Sequence, residues 1–160
     1  MDDRTLTQLD SKVMWQWRIQ GLLRVAIFWG PLAAGAGVAT ASVTSASIGA
    51  VVALTLVAVK LLITFAWPAL RYEHFRYSVR EHDLLVQRGV LFRRRSSIPH
   101  IRIQHVDTRQ GPLERILGLS QVAVYTASGM SADGSIPGLT TSHAEAIRDE
   151  LARRGGDDGV

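Results

Sequence analysis

Residues 25–59 form an unbroken stretch of 35 positions without Asp, Glu, Lys, Arg or His. A single helix of that length would be about 50 Å long, against a bilayer core of about 30 Å. Two helices joined by a turn fit instead, over 22–40 and 48–68. The small, hydroxyl-rich stretch 41–47 makes the turn at the far surface. Gly30-Pro31 predicts a kink in the first helix, because a proline cannot donate to the carbonyl four residues back. Ala33, Ala34, Gly35, Ala36 and Gly37 are small enough for another helix to approach closely.

After residue 70 the period changes from helical to two. Phe75, Tyr77 and Val79 alternate with His74, Arg76 and Ser78, the pattern of a half-buried strand. A turn over 80–83 leads to a second strand, 84–88. Gly89 then turns the chain into a third strand, 90–98, which Pro99 ends. Ile101 and Ile103 open a fourth strand running to Arg109. Beyond Gln110-Gly111-Pro112, Leu113, Ile116 and Leu117 have helical spacing that Gly118 closes. Val122 and Val124 share one face of a fifth strand, with Tyr125 on the other. The polar stretch 128–134 is a loop, and 135–139 a last short strand. A terminal helix follows, with Ser142 and Glu145 as a capping box and Ala144, Ile147 and Leu151 as its apolar stripe. Gly155-Gly156 stops it. The expected organisation is an N-terminal segment 1–21, a transmembrane hairpin 22–70, a β-rich domain 71–154 and a tail 155–160.

Charge places these parts. Lys12, Arg18 and Arg24 flank the first span, Arg71, Arg76 and Arg80 follow the second, and the turn carries none. The positive-inside rule then puts both termini in the cytoplasm of a multi-pass inner-membrane protein. A cleaved signal peptide is the competing reading, since Ala39-Thr40-Ala41 resembles a cleavage site. The late apolar run, the acidic start and the second span argue against it. Trp67 fits an aromatic belt, and Trp15 and Trp17 fit the headgroup layer. Lys60 is an intramembrane charge, read either as a stem snorkelling to the interface or as a functional group.

With 18 Lys and Arg against 14 acids the chain is basic, and it has no cysteine. A disulfide scaffold and a cysteine metal site are excluded. The basic excess is local: residues 71–115 hold ten Arg and five acids, and 116–160 three Arg and six acids. Arg93, Arg94, Arg95 and Arg102 are therefore candidates for contact with anionic lipid or a partner. On a strand, Arg94 would point away from Arg93 and Arg95. Near an anionic leaflet each Arg contributes about 1 kcal/mol of attraction. His74, His82, His100, His105 and His143 lack metal-ligand spacing. Ser96, Ser97 and His100 lack a nucleophile elbow, and no phosphate-binding loop or dinucleotide fingerprint occurs. The expectation is a non-enzymatic protein with no cofactor, no metal site and no nucleic-acid partner.

Two spans followed by Tyr77-Ser78-Val79, Gly89-Val90-Leu91, Pro99, Arg102-Ile103-Gln104-His105-Val106, Gln110-Gly111-Pro112-Leu113, Arg115, Leu117-Gly118-Leu119 and Thr126-Ala127-Ser128 resemble the bacterial pleckstrin-homology-like membrane proteins of the YdbS type. The likeness runs from about residue 71 to 151, and the hairpin matches the family layout. It implies a pleckstrin-homology (PH)-like sandwich of two antiparallel sheets capped by a C-terminal helix. It also implies a membrane protein without known enzymatic activity. Ile103, Gln104, Gln110, Gly111, Arg115 and Gly118 are its motif positions, expected to satisfy backbone groups and shape a turn. The leading functional expectation is an assembly or adaptor module that pairs with its own copies or with a larger PH-like membrane protein. An anionic-lipid headgroup sensor and an accessory subunit of a transporter or enzyme are the alternatives.

Overall fold

A computed structural model describes residues 6–127 and 133–157. The chain forms two compact units: Trp17–Ala69, and the flanking residues on both sides of it.

The first unit is a helical hairpin. Helix α1 (Lys12–Arg24) passes through a π-helical turn, Val25–Trp29, into α2 (Gly30–Val43). Helix α3 spans Ala46–Glu73. Both helical runs, of 32 and 28 residues, are long and apolar enough to cross a membrane. The break between them is narrower than the 41–47 expected: α2 continues to Val43 and α3 starts at Ala46, and the Ser42 and Thr44 hydroxyls donate to the carbonyls of Ala39 and Thr40 at the end of α2. The disruption expected at Gly30-Pro31 is the π turn: the Gly30 N–H reaches the Val25 carbonyl, five residues back, and Pro31 starts the next helix where no donor is needed. Pro68 does not end α3, which continues to Glu73. Ala33, Gly37 and Gly49 are buried, while Leu32, Val38, Leu54 and Leu62 are exposed. A Cβ on Gly49 would overlap the Gly37 carbonyl oxygen, so the two backbones touch.

The second unit is a sandwich of two three-stranded antiparallel sheets with a C-terminal helix. One sheet holds β1 (Arg76–Val79), β2 (Asp83–Arg88) and β3 (Arg94–Pro99), in that order. The other holds β4 (Ile103–Arg109), β5 (Leu119–Thr126) and β6 (Gly134–Thr140). A 3₁₀ turn, His100–Arg102, links the sheets, and the short helix α4 (Pro112–Leu117) joins β4 to β5. Helix α5 (Thr141–Asp157) packs on β4, β5 and β6. The middle strands bury consecutive residues, Leu84–Val86 in β2 and Val122–Val124 in β5; in β5 the small Ala123 lies between Gln121 and Tyr125, which are half-buried on the same side. Ala144, Ile147 and Leu151 close the core from α5.

Three local features depart from the sequence pattern. The third strand starts at Arg94, so Val90–Arg93, which opens on the apolar run Val90–Phe92 suited to a strand, is instead part of the connection between β2 and β3. Helix α5 begins at Thr141, one residue before the expected cap Ser142, and runs through the Gly pair to Asp157. Residues 6–16 belong to the sandwich: Thr7 exchanges two backbone hydrogen bonds with Tyr77, Leu9 and Val13 are buried, and Tyr72 donates to the Leu9 carbonyl. Thr7 thus pairs with the β1 edge. The expected loop 128–134 and tail 155–160 lie in part outside the described residues.

Candidate functional site

The β2–β3 connection collects the arginine run. Gly89, at φ +115°, makes the turn, and a Cβ there would overlap the Phe92 carbonyl oxygen, so only glycine closes it. Strand register sets Arg88 opposite Arg94 and Gln87 opposite Arg95. The Arg95 Nε donates to Gln87 Oε1 at 3.1 Å. Arg93 lies in the connection, and Arg94 and Arg95 begin β3. Leu91 and Phe92, at the tip, are 77% and 88% exposed. Arg102 is not part of this group. It is exposed in the 3₁₀ turn beyond the other end of β3, about 20 Å along a six-residue strand.

The motif positions gather around α4 and the ends of β4 and β5. Gln110 donates to the Leu119 carbonyl at 2.7 Å and lies 3.2 Å from Thr141 Oγ1, linking the strand end to the start of α5. Gly111 donates its N–H to Glu114 Oε2 at 2.6 Å, and the other Glu114 oxygen accepts from Gln16 Nε2 at 2.9 Å. Arg115 is exposed, with its backbone inside α4 and its carbonyl accepting from Gly118. Gly118 ends that helix in the left-handed conformation. Ile103 is buried, and exposed Gln104 lines a shallow cleft with His105, Val106, Ala152 and Gly155. The contacts of Gln110, Gly111 and Gly118 tie neighbouring elements together, while the Gln104 and Arg115 side chains are exposed.

The outer face of the second sheet carries a cluster that sequence reading missed. His105, Asp107 and Arg109 alternate along β4, and His105 stands opposite Tyr125 on β5. His105 Nε2 lies 2.6 Å from Asp107 Oδ1, and Arg109 Nη2 3.7 Å from Asp107 Oδ2. Arg109 also donates to the Tyr125 hydroxyl, and the His105 and Tyr125 rings stand 5.9 Å apart. The spacing i, i+2, i+4 within a predicted strand was the available signal. Its partner Tyr125 lies sixteen residues on from Arg109 and shows only in the pairing.

Other titratable groups make contacts within the fold. His100 is buried, with Nε2 2.9 Å from the Arg80 carbonyl, which also accepts from Arg154. Ser97 donates to Asp83, while the His100 Nε2 meets the Arg80 carbonyl. Tyr77 meets His143 Nε2 at 2.9 Å, and burial pushes its phenol up to about 12. In the helical hairpin, Lys60 Nζ sits 3.6 Å from the centre of the Trp29 ring. Its charge rests on an aromatic face.

The sequence model of the bacterial PH domain family matches residues 23–155 of this chain. A curated relative, the transmembrane protein YdbS of Bacillus subtilis strain 168, is 37% identical over 93 residues, which are 58% of this chain and 57% of the relative. The chain therefore spans a little over half the length of that relative. No solved structure matches significantly.

Proposed function

Because the chain belongs to the bacterial PH domain family and is a membrane protein, we propose that its sandwich is an assembly and adaptor module, without enzymatic activity, for other membrane proteins or further copies of itself. Both termini lie in the cytoplasm in this reading, which follows the Arg and Lys residues flanking the spans.

The observation that carries the reading is the His105–Asp107–Arg109–Tyr125 cluster. Its side chains hold one another in place on two paired strands while remaining open to solvent. Tyr and Arg dominate the energetics of protein interfaces, and side chains already ordered lose little freedom on binding. A flat, preordered aromatic and charged face on a sheet is thus suited to a protein partner.

The test places a photo-crosslinking residue at Gln121, opposite Arg109 in the strand register, in the full chain in native membranes. The expected result is a defined adduct with a second copy or with another membrane protein. Arg109→Ala with Tyr125→Ala should weaken that association by about 30-fold, the effect of losing about 2 kcal/mol at a central contact. A chain that stays a lone monomer in native-lipid discs and forms no adduct overturns the reading. An adduct confined to one transporter or enzyme would favour the role of accessory subunit.

A further inference from the structure

The tip of the β2–β3 hairpin combines two features that separately have ordinary explanations. Arginines on a sheet edge discourage pairing with other chains, and β3 is an edge strand. Single exposed apolar residues are common on any surface. Here Leu91 and Phe92 are adjacent and almost wholly exposed, at the end of a hairpin whose residues 86–98 contain four Arg and no acid. Edge protection does not account for the two large apolar side chains. Apolar exposure does not account for Arg88 standing directly opposite Arg94, a like-charge pairing that costs stability.

We propose that this tip is a membrane wedge: Leu91 and Phe92 enter the acyl boundary of the bilayer, while Arg88, Arg93, Arg94 and Arg95 meet anionic lipid headgroups. The chemistry matches the occupant. An anionic bilayer surface offers negative charge outside and hydrocarbon beneath it, the order in which the hairpin presents its arginines and then its tip. An anion relieves the repulsion between Arg88 and Arg94. The turn is tight, since Gly89 brings its backbone against the Phe92 carbonyl, and Leu91 and Phe92 are exposed at its tip. The sandwich is also held near a bilayer by its own chain. Helix α3 ends at Glu73 and β1 starts at Arg76. Even a weak wedge acts at high effective concentration when tethered over so few residues. Its role would be to fix the orientation of the sandwich at the surface, leaving the Tyr125 face for a protein partner.

The absence of native cysteine makes single-site labelling direct. Val90→Cys in the full chain, carrying a nitroxide, leaves Leu91 and Phe92 in place. Glu81→Cys, in the exposed turn at the other end of β2, is the control. In discs containing phosphatidylglycerol, the residue-90 label should become accessible to oxygen and shielded from a water-soluble relaxant. In discs of phosphatidylcholine alone, or at high salt, it should be wet, and the control should be wet throughout. Leu91→Ser with Phe92→Ser, and separately Arg94→Glu with Arg95→Glu, should each abolish the shielding. The lipid and salt comparisons use the native tip, so they stand even if a variant folds poorly. A residue-90 label equally wet in both lipids overturns the proposal. So does shielding that ignores lipid charge, which would instead assign the tip to a protein contact. Neither result bears on the crosslink at Gln121, so this inference and the adaptor reading fail separately.

Discussion

The two units of this protein obey opposite packing rules. In the sandwich the large apolar side chains are inside: Leu84, Leu119, Ile136 and Leu151 are fully buried. In the helical hairpin the small residues are inside, Ala33, Gly37 and Gly49, and Leu32, Leu54 and Leu62 face outward. The reason is the solvent. Water drives apolar surface into a core, whereas hydrocarbon does not distinguish Leu outside from Leu inside. Close backbone contact then decides which helix faces meet. The tip of the β2–β3 hairpin is instructive because Leu91 and Phe92 follow the rule of the hairpin helices although they belong to the sandwich.

The sharpest break of this contrast pairs two truncations. Leu119→Ala should destabilise the sandwich by about 2–5 kcal/mol, as loss of a filled core position does. Leu54→Ala in α3 should leave thermal unfolding of the chain in detergent nearly unchanged. Gly49→Val reverses the test, because adding volume should harm the helical hairpin where removing it does not. Its methyl groups would collide with the Gly37 carbonyl and Ala41, at an expected cost of about 1–3 kcal/mol, measured by reversible unfolding in mixed micelles.

Titration sharpens the comparison on the sandwich side. The Tyr77 phenol ionises near 10 in the unfolded chain and near 12 when folded. The unfolded state therefore releases its proton first as pH rises. Stability present below pH 10 should fall between pH 10 and 12, by about 1–2 kcal/mol. Tyr77→Phe should remove that slope from the alkaline unfolding curve. On the hairpin side, Trp29→Leu should cost about 1 kcal/mol by taking the aromatic face from Lys60. Lys60→Met should make the Trp29 change nearly neutral, which a double-mutant cycle reads.

Much of the fold was legible in the pattern of residues. The uncharged stretch 25–59 required two spans on length alone, and alternation marked the strands around Tyr77 and Val122. The candidate sites were less legible. The Val90–Arg93 run has the composition of a strand, and nothing local distinguishes a buried apolar run from an exposed tip. The N-terminal Leu9 and Val13 also carry no sign of the sandwich they enter, since their neighbours there come from more than sixty residues away.

By itself the sequence determined the local quantities: where charge is missing, where the period is two or 3.6, and where glycine permits a turn. These depend on residues a few positions apart. Only the tertiary structure decided which residues share a surface: Arg88 beside Arg94, Tyr125 against His105 and Arg109, Lys60 on Trp29, and Arg102 away from the other arginines. Those groupings come from strand register and helix contact, which depend on how the whole core closes.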